Sequence, residues 1–296
     1  MHCEPPSAFR PSARALAALL LLLLERGVEA QQVPVFGTTA EAVYVDVLVR
    51  DHGRNVPGLK ASDFELLDNG APQSVEVLDR AKVPLQAVLV FDVSRSVAGP
   101  RLQHLKAAAT AFLDGLSDAD RVAVVAFNHQ IWIAAGPAVP RSEARRAVGS
   151  LEAWGGTALY DAVHVGLTVA DSAVGRPVVL VFSDGQNMLS WTTRERAIET
   201  SRRADAVVYG VGAGGLESTA RDFLRALADV TGGRVWQTQD DTELRAAFAQ
   251  LLLEIGQRYL LRYDASTAAA PGWHALKVRV RGRRAEVRTR AGYVRP

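Results

Sequence analysis

PLQAVLVFDVSRSVAG occupies residues 84–99. Its unbroken apolar run, Ala87 to Phe91, reads as a strand buried on both faces. The run stops at Asp92, and Ser94 and Ser96 then alternate with Val93 and Arg95. A buried strand that ends this way delivers one carboxylate and two hydroxyls to the edge of a sheet.

Outward from this stretch, strands alternate with helices from Pro84 to about Gly256. Leu102, Leu105, Ala109, Phe112 and Leu113 keep helical spacing, so a helix is predicted over Leu102–Leu116. VAVVAF (Val122–Phe127), PVVLVFSD and AVVYGV read as buried strands, with a short strand at Arg234–Trp236. TALYDAVHVGLTVA, Thr192–Ala204, Ser218–Val230 and Asp241 to about Ile255 read as helices. The pattern predicts an α/β domain, a doubly wound and mostly parallel sheet flanked by helices, with ligands at the carboxyl ends of its strands.

Two more strand-end groups join the first. Thr157 follows a Gly-Gly turn in GGTALYDA, and Asp184 follows an apolar strand in VFSDGQN. Taken singly these are a strand-end cap, a helix N-cap and a turn residue. Together, Asp92, Ser94, Ser96, Thr157 and Asp184 offer two carboxylates and three hydroxyls, all hard oxygen donors. That set suits Mg²⁺, with Mn²⁺ or Ca²⁺ as alternatives. It is too small to fill six coordination positions, so waters and an incoming group complete the shell. Asn187 and Trp191 follow Asp184 closely and are candidates for a partner-binding rim; a buried core tryptophan is the other reading of Trp191.

Residues 84–256 resemble a von Willebrand factor A (VWA) domain with a complete metal-ion-dependent adhesion site (MIDAS): Asp-x-Ser-x-Ser at Asp92, Ser94 and Ser96, a threonine after a glycine-rich turn at Thr157, and a strand-end aspartate at Asp184. The resemblance implies that the serines bind metal directly, the threonine does so in the ligand-competent state, and the aspartates act directly or through water. It also implies a protein partner that supplies an Asp or Glu carboxylate. The flanks, VDVLVRDHGRNVPGLKASDFELLDNG and YLLRYDAS with KVRVRGRRAEVRTRAGYV, resemble an exported bacterial VWFA-related subgroup of acidobacterial type.

Those flanks read as β structure. VYVDVLV (Val43–Val49) alternates, and FELLDNGAPQSVEVL reads as two strands around an Asn-Gly turn. The tail from Tyr259 alternates around RGRR, and its strands are expected to pair with the N-terminal ones in one sheet. The expected division is a signal peptide at 1–30, an N-terminal β segment at 31–83, the VWA domain at 84–256, and a C-terminal β segment at 257–296.

Arg10 and Arg14, the apolar ALAALLLLLL (Ala15–Leu24) and the small-residue VEA ending at Ala30 have the order of a secretory signal. The alternative is an uncleaved anchor; in both cases the body is exported, to the periplasm or beyond. Cleavage removes equal numbers of acidic and basic residues, so the net charge stays at +2. It also removes the single cysteine, Cys3, which excludes disulfides, thiolate metal sites and a cysteine nucleophile from the mature chain. No second apolar run is long enough for a membrane helix, and the oligomeric state is left open.

Enzymatic readings find little support. GVGAGG (Gly210–Gly215) fits a dinucleotide fingerprint in spacing, but too little chain follows it for a nucleotide-binding half. Neither a Gly-x-Ser-x-Gly elbow nor a His-Glu-x-x-His motif is present, and His104, His129, His164 and His274 are scattered. A single metal without a nearby general base suits binding better than bond cleavage. The rival to metal-bridged adhesion is a structural envelope component with a vestigial site, contacting anionic surfaces through Lys277, Arg279 and Arg281 on one strand face. That tail lacks the aromatic pattern of a nucleic-acid binder.

Overall fold

The computed structural model describes residues 42–79, 83–171, 175–184, 187–213, 216–265 and 270–295. The signal segment and the last two glycines of GVGAGG lie outside the described residues.

The N-terminal strands are β1 (Ala42–Asp51), β2 (Arg54–Asn55), β3 (Phe64–Asp68), β4 (Ala71–Gln73) and β5 (Glu76–Leu78). The Asn-Gly turn is the β3–β4 hairpin: Asn69 and Gly70 both have positive φ, 47° and 84°, and Asp68 pairs with Ala71. Next come β6 (Leu85–Asp92), α1 (Pro100–Asp114), β7 (Arg121–Phe127), β8 (Ile131–Ala135), α2 (Arg141–Ser150) and α3 (Leu159–Asp171). They are followed by β9 (Arg176–Phe182), α4 (Arg194–Arg203), β10 (Val207–Ala213), α5 (Ser218–Thr231), β11 (Val235–Thr238) and α6 (Asp241–Gln257). The chain closes with β12 (Tyr259–Asp264), β13 (Gly272–Val280), β14 (Glu286–Arg288) and β15 (Gly292–Arg295).

The central sheet runs β11-β10-β9-β6-β7-β8. Its first five strands are parallel, and β8 is antiparallel to β7, so the sheet is mixed. Residues 131–150 carry no clear strand or helix periodicity in the sequence. There β8 is a half-exposed edge strand, and α2 buries only Ala144 and Val148, too weak a stripe to stand out. Every residue of β6 is buried. One sheet face packs on α1, α2 and α6 through Phe91, Phe182, Leu105, Phe112 and Phe248, with Phe182 and Phe248 stacked 5.4 Å apart. The other packs on α3, α4 and α5 through Val90, Val181, Leu167, Ala197 and Phe223. At Gly166 of α3 a Cβ would come within 2.5 Å of Val90, so only glycine lets this helix lie so close to β6.

The two flanks pair with one another, but in two sheets rather than the single sheet expected. One runs β14-β1-β12-β5 with β2 beside β1; the other runs β15-β13-β3-β4. Val45 opposes Leu261 in the first and Leu66 opposes Val278 in the second. The inward faces share one core, including Val43, Val47, Phe64, Leu66, Tyr263 and Val280. Two faces of alternating apolar residues need each other to leave water, which a single two-sided sheet would not provide.

On the reverse face of β1, Asp46 reaches the α/β layer. It accepts hydrogen bonds from Arg176 at the start of β9 (2.7 and 3.1 Å) and from Arg258 after α6. The Arg258 guanidinium, itself buried, also donates to the Tyr209 hydroxyl (3.1 Å) and the Gly232 carbonyl (3.0 Å). This ion network joins strands from opposite ends of the chain to the central sheet.

Candidate functional site

The carboxyl ends of β6 and β9 are neighbours in the parallel register, with Phe91 beside Phe182. The sheet therefore places Asp92 and the segment Ser183–Asp184 side by side. The Asp92 carboxylate is fully buried. Its Oδ1 accepts the Ser94 N–H (2.8 Å), which turns the chain, and its Oδ2 accepts the Ser183 hydroxyl (2.6 Å). The Ser94 and Ser96 hydroxyls lie 2.9 Å apart, and Ser96 Oγ donates to Asp184 Oδ1 (2.8 Å). Four of the five predicted donors thus form one hydrogen-bonded set. Asp92, Ser94 and Asp184 are buried while Ser96 is exposed, so the set opens to solvent at Ser96.

Thr157 joins through the backbone. The loop before it is zipped to the Asp92–Ser96 loop: Trp154 N–H donates to the Val93 carbonyl (2.8 Å) and Arg95 N–H to the Gly155 carbonyl (3.0 Å). Gly155 has a φ of 75°, and a Cβ there would collide with the His129 ring. Ala158 N–H then bonds the carbonyl of Asn128, at the end of β7 (2.7 Å). Thr157 itself is buried, and its carbonyl accepts the N–H groups of Met188 (2.9 Å) and Leu189 (3.1 Å).

Burial, the largest influence, pushes the Asp92 carboxyl up to about 6; the nearby Asp184 charge adds to this, and hydrogen bonds from Ser183 and Ser94 oppose it. Among the described residues no Lys, Arg or His side chain bonds Asp92. The cation at the site is Arg101, in the first turn of α1, whose Nη1 donates to Asp184 Oδ2 (2.7 Å) and to the Ser96 carbonyl (3.3 Å). Two close carboxylates faced by one guanidinium leave a negative excess. Ringed by hydroxyls and open to solvent, this arrangement fits a small hard cation.

Two residues were passed over in the sequence. Ser183 binds Asp92 directly, and its place before Asp184 was the available signal. Arg101 lies in a stretch read only for helical spacing. Asn187 does not present its side-chain carbonyl to a partner: that oxygen accepts the Tyr160 N–H (3.3 Å) and the Ser190 hydroxyl. Trp191 is 97% exposed, so it is no core residue.

Other sequence features have structural uses. Gly210 and Gly212 lie within β10, where added Cβ atoms would press on Leu224 and Leu216. The buried His274 hydrogen-bonds Asp68 (2.8 Å), and His164 lies 3.2 Å from the Thr200 hydroxyl. Lys277 and Arg279 do face outward on β13, whereas Arg288 and Arg290 are engaged with Glu286 and Asp205. Among the described residues no helix is long and apolar enough to cross a membrane.

Residues 87–186 match the von Willebrand factor type A domain family. Over 225 residues the chain is 28% identical to an uncharacterised protein of Synechocystis sp., a stretch covering 70% of this chain and 53% of that protein. The chain thus spans about half the length of that curated relative. Among solved structures, the fold is similar to that of the PilB minor pilin from Streptococcus sanguinis (TM-score 0.52, 12% identity, 61% of this chain and 63% of that one). It is also similar to proximal thread matrix protein 1 from the mussel byssus, solved with a zinc-occupied MIDAS motif (TM-score 0.51, 19% identity, 63% of this chain and 49% of that one). At these identities the likeness is one of fold, a VWA-like α/β architecture.

Proposed function

We propose that this VWA-like fold is a non-enzymatic binding module of an exported bacterial protein, and that it grips a partner protein through a divalent cation. Asp92, Ser94, Ser96, Thr157 and Asp184 would hold the ion, Mg²⁺ by donor type, with Mn²⁺ or Ca²⁺ as substitutes. The ion supplies a Lewis-acidic position that takes an Asp or Glu carboxylate of the partner. The chain's own residues do the rest: Asp92 anchors the Ser94 turn, Ser183 orients Asp92, and Ser96 orients Asp184. The carrying observation is the buried Asp92 carboxyl, hydrogen-bonded to Ser94 and Ser183, close to Asp184 and, among the described residues, bonded by no cationic side chain.

Further support comes from the solved relatives, which include a minor pilin and a protein with zinc in its MIDAS motif. Export follows from the apolar segment behind Arg10 and Arg14. We divide the chain into that segment at 1–30, the binding domain at 84–256, and a β unit built from 31–83 and 257–296.

The test is capture of envelope proteins from the source organism on the immobilised protein, with Mg²⁺, with EDTA, and with Asp184→Ala in Mg²⁺. Capture of a protein with Mg²⁺ alone, lost in the other two arms, is the expected result. Equal capture in all three arms would remove the metal cleft from the interaction and turn attention to Lys277 and Arg279.

A further inference from the structure

The segment 187–192, Asn-Met-Leu-Ser-Trp-Thr, is uncharged and closely tied down. Thr157 O accepts the N–H groups of Met188 and Leu189. Ser190 Oγ accepts those of Tyr160 (3.1 Å) and Asp161 (3.3 Å). The Asp161 carboxylate accepts those of Trp191 (2.8 Å) and Thr192 (2.7 Å). These bonds hold the backbone of the segment in place.

Those side chains are large, apolar and turned to water. Trp191 is 97% exposed, Met188 68% and Leu189 52%; Trp154, zipped to the Asp92–Ser96 loop, is 46% exposed. Leu189 also lies over Gly156, where a Cβ would sit 2.7 Å from its Cδ1, so the Trp154 and Leu189 segments are in contact. The apolar residues therefore border the loops that carry the oxygen donors. Scattered apolar side chains on a surface are ordinary, but four large ones grouped on a rigid frame beside a polar cleft mark an interaction surface.

We infer that this rim reads the residues flanking the partner's acidic side chain, and that the partner is a protein segment whose carboxylate sits between large apolar residues. The inference rests on the metal-bridged reading above and deepens it. Charge sets the class of occupant: the cleft calls for a cation, Arg101 adds a guanidinium at Asp184, and the rim carries no charge to repel or attract. An anion centred on the cleft with apolar neighbours over Trp191, Met188, Leu189 and Trp154 satisfies both parts. The tethered backbone needs little ordering on binding, which favours affinity.

The probes are two blocked pentapeptides, acetyl-Gly-Leu-Asp-Leu-Gly-amide and acetyl-Gly-Gly-Asp-Gly-Gly-amide, each with an Asn-for-Asp counterpart. They are titrated into the full protein with Mg²⁺ and followed by the indole N–H signals in ¹H–¹⁵N spectra. The leucine peptide is expected to bind about tenfold tighter than the glycine peptide. Met188→Ser with Trp191→Ser should erase that preference. Equal binding of the two Asp peptides would overturn the rim inference and leave the metal reading standing. Binding of neither, or equal binding of the Asn versions, would overturn both. Sedimentation of the protein alone in Mg²⁺ is the remaining arm: a dimer dissolved by Trp191→Ser would give the rim to a second copy and overturn the inference.

Discussion

Asp46 and Asp92 are both carboxylates taken out of water by the same fold, and the chain treats them in opposite ways. Asp46 lies between β1 and the central sheet and receives two guanidinium groups, Arg176 and Arg258. Burial alone would raise its carboxyl, but the charges and hydrogen bonds of those arginines hold it below the ordinary value. Asp92 receives a hydroxyl and a backbone N–H, has another carboxylate for a neighbour, and is raised to about 6. Among the described residues the largely enclosed Asp46 is met by two guanidinium groups and the buried Asp92 by none, a contrast that fits the external cation proposed above.

The largest effect should come from breaking the Asp46 network. Asp46→Ala leaves the buried Arg176 without its acid and Arg258 with Glu254 alone, 3.5 Å away, and should cost about 3–5 kcal/mol in urea unfolding. Asp92→Asn should behave oppositely. With EDTA at neutral pH it removes an uncompensated buried charge, so its unfolding free energy should match or exceed wild type by about 1 kcal/mol. Stability loss in Asp92→Asn as large as in Asp46→Ala would erase the distinction.

The two carboxylates should also respond to pH with opposite sign. Asp46 has a lowered folded value, so its contribution is present above about pH 4 and is lost as pH falls through that lowered value. Asp92 has a raised one, so in EDTA its contribution is complete below about pH 4 and is lost as pH rises through about 6. A cation bound as proposed would remove that loss. The rise in Tm on adding Mg²⁺ should therefore be larger at about pH 7.5 than at about pH 5. A Mg²⁺ effect independent of pH would separate the ion from Asp92.

A smaller effect should come from Arg101. Its guanidinium already sits on Asp184, partly exposed to solvent, and a cation entering the cleft must share that carboxylate. Arg101→Ala should tighten Mn²⁺ binding by roughly threefold to tenfold in calorimetric titration, a modest gain because solvent screens the pair. Weaker binding in this variant would instead give Arg101 a supporting part.

Much of this was legible in the chain because it rests on local patterns. Unbroken apolar runs marked β6, β7, β9 and β10, whose burial on both sides leaves no alternation to read. Asn69-Gly70 announced its hairpin because both positions need positive φ. Asp92, Ser94, Ser96 and Asp184 could be placed together because parallel strands deliver their carboxyl ends to one edge. What escaped was non-local. Nothing near Asp46 in sequence points to Arg258, which meets it only after the flanks close on one another. The edge strand β8 and the helix α2 bury too few residues to stand out. The outward turn of Met188, Leu189 and Trp191 depends on Thr157, Tyr160 and Asp161 holding their loop from outside it.

The most direct measurement is a Mn²⁺ titration by electron paramagnetic resonance on the wild-type protein and on Asp92→Asn, with melting curves of both in EDTA. The expected result is one Mn²⁺ site in the wild type, weakened at least about tenfold in a variant that melts no lower. Equal Mn²⁺ binding by the two proteins, or none by the wild type, would contradict the assignment of Asp92 to an external cation.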